Sequence, residues 1–372
     1  MKITIKQTIL MEHLNYVIKG ISSKNIIPIL NCIRFDLVKN GLYLMSTDND
    51  IAIKTFIDKK EIEDIQELGS FVVSGKYIYD IVRKLPNETI NIEEIIDSKL
   101  MIYTNNSSFN LNTNRVSDFP ELELEENKNP IILSQQIFKN IINQTAFASS
   151  NDQAKPVLTG INFKINDSIL ECTSTDSYRL SRKTVKLNNN NELINIIVPT
   201  KNLIELVKLL NNDDNSLEIH IFNNKIIFKF DSIILMSRLI NGTYPDTNKL
   251  IPNEFETTLR VSLSDLYNSL DRASLLTNES EKNTIKLQTV KNKIIISSNI
   301  PEIGNVEEKI DVLNKNVNDM KIAFSSKYMM DALKSFNSEE VELLFNGEVK
   351  PIIVRNVDSN DVIQLIVPIR TY

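Results

Sequence analysis

Met45-Ser46-Thr47-Asp48 and Thr173-Ser174-Thr175-Asp176 are near-copies of one another, with 128 residues between their two aspartates. Upstream, Pro28-Ile29-Leu30 answers Pro156-Val157-Leu158 at the same spacing. Downstream, Lys76, Lys201 and Lys327 follow one another at 125 and 126 residues, and each has an acid four positions later: Asp80, Glu205 and Asp331. Asp118-Phe119-Pro120 answers Thr243-Tyr244-Pro245 at 125. Several matches in one order, at a nearly constant spacing, mark an internal repeat. The chain reads as three tandem domains, 1–124, 129–252 and 255–372, joined by polar stretches near 121–129 and 252–256.

The pattern inside each domain agrees. A first helix carries Leu10, Leu14 and Val17, then Ile137, Ile141 and Ile142, then Leu266, Leu270 and Ala273, at helical spacing. Strand pairs follow around Asn40-Gly41, Asn166-Asp167 and Lys291-Asn292, residues that tolerate tight hairpins. A strand then precedes a second helix, with Ser74, Thr200 and Ser326 as N-caps. Another hairpin follows, turning at Asp97-Ser98, Asn223-Asn224 and Asn346-Gly347. The fold class is therefore α+β: each domain is two similar halves, a helix packed on antiparallel strands.

The chain has 372 residues, 42% hydrophobic and 24% charged, the balance of a globular protein. The N-terminus shows no secretory signal, and no apolar run approaches the ~20 residues of a membrane span. Cys32 and Cys172 sit in apolar runs and read as buried free thiols of a cytoplasmic protein. The formal net charge of −6 argues, taken alone, against nucleic acid. It still permits positive charge gathered on one surface.

Chemistry is not apparent in the residues. His13 and His220 share no metal-ligand spacing with either cysteine. The eight glycines form no phosphate loop, and no nucleophile elbow occurs. Asp48 and Asp176 are the best carboxylate candidates, but the third repeat has Asn299-Ile300 there, which suits a turn better than catalysis. No enzyme, cofactor or metal is expected.

Four stretches carry a resemblance. They are Asn25-Ile26-Ile27-Pro28-Ile29-Leu30, Thr175-Asp176-Ser177-Tyr178-Arg179-Leu180, 238–246 (Arg-Leu-Ile-Asn-Gly-Thr-Tyr-Pro-Asp) and Val367-Pro368-Ile369-Arg370-Thr371-Tyr372. Over its whole length the chain resembles the β subunit of bacterial DNA polymerase III, the DNA sliding clamp family. The resemblance implies a processivity factor: two chains joined head to tail in a ring around duplex DNA. Its implied partners are the clamp loader and the replicative and repair polymerases, which dock through short linear motifs, with no membrane involved.

The resemblance also assigns residues. A peptide-binding cleft between the second and third domains falls on Leu158, Thr175, Ser177, Tyr178, Arg179, Leu180, Pro245, Lys249, Leu250, Tyr328, Val367, Pro368, Ile369 and Arg370. The apolar members suit a peptide's Leu and Phe anchors, and Arg179 and Arg370 suit its carbonyls and acids. Tyr178 stands where some members have histidine, and Lys249 where some have arginine. Tyr372 would place its carboxylate near the cleft. DNA contact falls on Lys24, the loop from Asn151 to Lys155, and the recurrent Lys76, Lys201 and Lys327; the seam falls on Phe109 and Leu111 against Leu275 and Leu276. Blander readings stand beside these. Leu158, Leu180, Val367, Leu275 and Leu276 also suit domain cores. Each lysine also suits a solvated charge paired with the acid four residues on. Two other functions remain open: a peptide-binding repeat scaffold that never encloses DNA, and a hydrolase built on Asp176, Tyr178 and Arg179.

Overall fold

The computed structural model describes residues 1–22, 26–95, 98–126, 129–314 and 318–370. Among them lie six α-helices, two per repeat: α1 (Gln7–Val17), α2 (Gly75–Lys84), α3 (Gln135–Thr145), α4 (Thr200–Val207), α5 (Leu263–Ser274) and α6 (Ser326–Leu333). Each turns one apolar stripe inward. Leu10, Leu14 and Val17 of α1 and Leu266, Leu270 and Ala273 of α5 are buried as the spacing predicts. In α3 the stripe is rotated by one residue: Phe138, Ile141 and Ile142 are buried, and Ile137 is exposed. The larger ring of Phe138 packs against Phe228 at 5.3 Å and takes the inward place.

One polar contact recurs in all three repeats. A buried strand serine donates to a carbonyl in the last turn of the first helix: Ser46 Oγ to Val17 O (2.5 Å), Ser174 Oγ to Thr145 O (2.5 Å) and Ser298 Oγ to Ala273 O (2.7 Å). Those carbonyls lie where a helix runs out of its own donors. Each contact therefore satisfies a buried group and fixes the helix over its strands.

The chain divides into two compact units, Met1–Phe138 with Asn202–Leu239, and Lys139–Lys201 with Ile240–Tyr372. The division cuts the middle repeat instead of falling at 121–129 and 252–256. The reason is strand pairing. In the first unit a 13-stranded antiparallel sheet runs without interruption from the second repeat into the first. The join is Ile233–Arg238 against Ile51–Asp58, from Ile233↔Thr55 to Ser237↔Ile51. The second unit holds a six-stranded and a four-stranded sheet. There the second repeat joins the third through Arg179–Pro199 against Val362–Ile366, from Arg179↔Ile366 to Lys183↔Val362. The two joins are equivalent, since Ile51 and Arg179 differ by the same 128 residues as the aspartates of the opening motif.

Turns and caps follow the sequence with local departures. Gly41 sits at φ 154° where an added Cβ would lie 2.1 Å from Ile57 O, so the hairpin after Asn40 requires glycine. The turn expected at Asn166-Asp167 is a break in register within Gly160–Thr175, with Asp167 at φ 53°. Asp97 lies outside the described residues. Ser74 occupies its N-cap without a side-chain bond, Thr200 is the first helical residue, and Ser325, not Ser326, caps α6 by accepting from Tyr328 N. The linker at 121–126 has no regular structure but is pinned by charge. Lys225 Nζ meets the Glu123 carboxylate at 3.1 Å, and Lys229 Nζ meets Glu126 at 2.9 Å.

Cys32 and Cys172 are buried thiols, and burial raises the pKa of both. His13 is also buried, with Nδ1 2.7 Å from Thr55 Oγ1, and desolvation lowers its pKa. Its neutral form is favoured in the folded state. Its share of the stability is therefore present above the unfolded value of about 6.5 and is lost as pH falls from there through the folded value. Urea titrations should show stability declining below about pH 6.5 in the native chain, with a shallower decline in His13→Gln; equal slopes would show that His13 does not contribute.

Candidate functional site

The segment Thr175–Arg179 is a tight loop held by its own side chains. Thr175 Oγ1 donates to Arg179 O at 2.6 Å. Asp176 Oδ1 accepts from Tyr178 N and Arg179 N at 2.9 and 3.0 Å, and Ser177 takes φ 80°. The first repeat builds the same loop: Thr47 Oγ1 donates to Ile51 O, Asp48 Oδ1 accepts from Asp50 N and Ile51 N, and Asn49 takes φ 78°. Short polar side chains that bond backbone amides two and three residues on stabilise such turns. Asp48 and Asp176 thus work as turn acceptors.

The second-repeat loop carries a different cargo. Arg179 sends Nε to Asp176 Oδ2 at 3.0 Å and Nη1 to Asp331 Oδ2 of α6 at 2.8 Å. Its guanidinium lies 4.6 Å from the Tyr328 ring centroid and 5.5 Å from that of Phe147. Arg179, which the resemblance gives as a donor to a ligand, is held between the loop and α6 by two carboxylates and two rings. Tyr178, set free by this arrangement, is 55% exposed. Its carbonyl accepts from Val367 N at 2.9 Å, and Ile369 N donates to Ala323 O at 2.7 Å. The C-terminal segment is thereby stitched between the loop and the strand before α6.

These elements enclose a groove of about 630 Å³. Of the expected cleft residues, Tyr178, Tyr328, Val367, Pro368, Ile369 and Arg370 line it together. Burial raises the pKa of the Tyr328 hydroxyl, so the ring stays neutral. Other expected members sit behind or beside the groove. Leu158 is 5% exposed in a cluster with Val157, Ile197, Ile240 and Tyr244. Leu180 is 1% exposed among Leu344, Ile353, Leu365, Ile251 and Phe255. Thr175 is buried, while Ser177, Pro245, Lys249 and Leu250 are exposed. Glu279, Lys282, Asn283 and Ser325 also line the groove and had no signal in the sequence. Glu279, Lys282 and Asn283 are brought there by the loop after α5, where Lys282 and Asn283 hold φ 58° and 51°, and Ser325 by the end of the strand before α6.

The recurrent lysines do not pair with the acids four residues on. Asp80 binds Arg83, Glu205 binds Lys208, and Asp331 binds Arg179. A lysine preceding an acid by four residues is the weaker orientation. Lys76, Lys201 and Lys327 are all exposed at the second position of α2, α4 and α6. Lys327, expected to face DNA, lines the groove. Asn151 and Lys155 are exposed, and Lys24 and Tyr372 lie outside the described residues. Phe109 is 37% and Leu275 79% exposed; Leu111 and Leu276 are half-buried. One group of possible metal ligands, Glu126, Glu218 and His220, gathers in the first unit, but Lys229 already stands 2.9 Å and 3.9 Å from its two carboxylates.

Three tandem repeats, each two helices on antiparallel sheets, with a groove built from the second and third, define a DNA-clamp protein. Family models agree along the chain: DNA polymerase III beta subunit, N-terminal domain at 1–123, central domain at 132–246 and C-terminal domain at 248–370. The beta sliding clamp of Staphylococcus epidermidis is 39% identical over 376 positions, covering all of both chains. The crystal structure of the DNA polymerase sliding clamp from Bacillus subtilis superposes with a TM-score of 0.97 at 37% identity, and that of the DNA polymerase beta subunit of Streptococcus pyogenes with 0.95 at 30%, each over the full length of both chains. The chain belongs to the DNA polymerase III beta subunit family, the beta sliding clamps, and its role is that of a replicative processivity factor. No described helix is long and apolar enough to cross a membrane.

The hold on Arg179 is testable through its partner. Asp331→Ala should lower stability by about 1–3 kcal/mol in urea titration, because it leaves a guanidinium that is 12% exposed with one carboxylate fewer. Asp80→Ala, which removes an exposed helical pair, should cost no more than about 0.5 kcal/mol. Equal effects would place Arg179 outside the load path.

Proposed function

We propose that two copies of this chain close head to tail into a ring around duplex DNA and hold partner proteins at the groove beside the C-terminal segment. The observation that carries the ring is an unfinished series of joins. Ile51–Asp58 of the first repeat is paired by the last strand of the second, and Arg179–Pro199 of the second by the last strand of the third. The equivalent strand of the third repeat, Gly304–Asp311, ends its four-stranded sheet. The equivalent last strand of the first repeat, Ser108–Asn114, pairs along one side, and on the other, among the described residues, only through Thr113 and Asn114. Open strand edges of this kind seek partners. A third join of the same register would set Gly304 opposite Asn112 and Glu308 opposite Ser108. It would bring Phe109 and Leu111 to Leu275 and Leu276. Unlike surfaces joined in this way must close or propagate.

DNA contact in this reading is to phosphates, without sequence preference and sensitive to salt. Lys76 and Lys201 stand in first helical turns, where the helix dipole disfavours a cation; a phosphate partner gives that placement a purpose. With Asn151 and Lys155 they supply local positive charge on a chain of net charge −6. The groove takes short linear motifs of replicative and repair polymerases and of the clamp loader. Tyr178, Tyr328, Val367 and Pro368 receive apolar anchors, with Leu158, Leu180, Pro245 and Leu250 on the second-repeat side. The ring itself performs no chemistry and needs no cofactor. Topology, not affinity, retains it on DNA.

Light scattering should give the mass of a dimer, and nicked circular DNA should retain the protein until the circle is linearised. Leu275→Asp with Leu276→Asp should yield a monomer that circles no longer retain. A native chain that stays monomeric at micromolar concentration would overturn the proposal.

A further inference from the structure

The C-terminal segment has space on more than one side. The apolar groove lies along Tyr178, Tyr328, Val367 and Pro368. A second groove of about 800 Å³ shares Lys282, Ile369 and Arg370 with it and continues over Ser280, Thr284, Lys286 and Ser297 to Asn305. A third, of about 360 Å³, shares Ile369 and Arg370 and adds Lys286, Lys321 and Ala323. Three cavities thus meet at two residues. Five cations border them: Lys282, Lys286, Lys321, Lys327 and Arg370. None of the five makes an ion pair with a described residue. Four acids line the same grooves, Glu279, Glu281, Glu307 and Glu348, and of these Glu307 is paired with Lys309 at 2.9 Å. Along the three grooves the cations outnumber the acids five to four, on a chain whose 48 acids outnumber its 42 lysines and arginines.

Lys282 is held there at a cost. It and Asn283 occupy consecutive left-handed positions, φ 58° and 51°, which asparagine tolerates and lysine adopts reluctantly. The loop is locked by Lys282 N to Glu279 O (2.9 Å), Asn283 N to Asn278 O (2.8 Å), and by Ser326 N and Oγ donating to Asn283 O (2.9 and 3.1 Å). This fixes the Lys282 backbone at the start of α6 and sets its ammonium 5.7 Å from the Tyr178 ring centroid. Backbone strain of this kind persists where the surroundings enforce it, and it gathers at binding sites.

We propose that the polar grooves beside Ile369 and Arg370 receive the flanks of the docked peptide, and that Lys282, with Lys286 and Arg370, selects flanks rich in Asp and Glu. This rests on the peptide-groove reading and specifies its ligand: an apolar anchor that fills the tyrosine-lined groove, continued by a carboxylate-bearing segment. Ammonium and guanidinium donors on a partly enclosed rim bind carboxylates more strongly than neutral amides, and salt screens the exposed part of that attraction.

Fluorescence anisotropy on the full chain tests it with three labelled peptides. One is an uncharged peptide with Leu and Phe anchors. The second extends it at both ends with Asp-Asp, and the third with Asn-Asn. At low salt the Asp-flanked peptide should bind about three- to tenfold tighter than the Asn-flanked one, a gap that closes near 1 M salt, where the Debye length is about 3 Å. Lys282→Gln should narrow the gap between the Asp-flanked and Asn-flanked peptides; the salt series on the native chain gives the same answer if that variant folds poorly. Equal affinities for the two flanked peptides, with the uncharged one still bound, would overturn this inference and leave the groove reading intact. Failure of all three to bind would overturn the groove reading itself.

Discussion

Unpaired strand edges are the constraint on which this molecule is built. A repeat of two helices and antiparallel strands covers its sheets on one face but leaves a strand open at each end. The chain solves this twice by pairing across repeats, with ladders that are equivalent at Ile51–Asp58 and Arg179–Pro199. Each ladder is reinforced by side chains. At the second, Ser181 Oγ and Gln364 Nε2 both donate to Gln144 O, which draws α3 onto the strands of two repeats. Strand pairing is backbone chemistry, so it survives wide changes in side chains. The compact units consequently cross the repeat boundaries that the sequence suggests.

The same loop, copied between repeats, does different work in each. Thr47-Asp48 and Thr175-Asp176 close identical turns through identical hydrogen bonds. What differs is the residue that follows. Ile51 enters the core of the first repeat, whereas Arg179 reaches across to Asp331 and lies over Tyr328 and Phe147. The arginine at this repeated position ties the second-repeat turn to α6, beside the groove that Tyr178 lines. Symmetry supplies the scaffold, and a departure from symmetry supplies the site.

Charge follows the same division. Acids are spent on internal work: Asp176 and Asp331 hold Arg179, while Glu123 and Glu126 hold the linker to Lys225 and Lys229. The lysines at the starts of the second helices have lost their nominal partners to other cations. The net charge of the chain is therefore a poor guide to its partners, because it averages paired acids with cations left exposed.

The sequence by itself determined the repeat, the helix stripes and most turns. These depend on local spacing, hydrophobic period and the backbone preferences of Gly, Asn and Asp, all of which act over a few residues. It also carried the family, through stretches such as Thr175–Leu180 and Val367–Arg370. Tertiary structure decided what spacing cannot express. Phe138 instead of Ile137 faces inward because a ring had a partner 5.3 Å away in a strand some 90 residues on. The acids of the Lys-x-x-x-acid pattern went to Arg83, Lys208 and Arg179, because geometry and not sequence distance sets which charge is nearest. Lys282 reached the groove through two left-handed residues held by Ser326, a conformation that suits Asn283 but that Lys282 does not announce. Local rules wrote the repeat; long-range contacts chose which copy of each residue became part of the site.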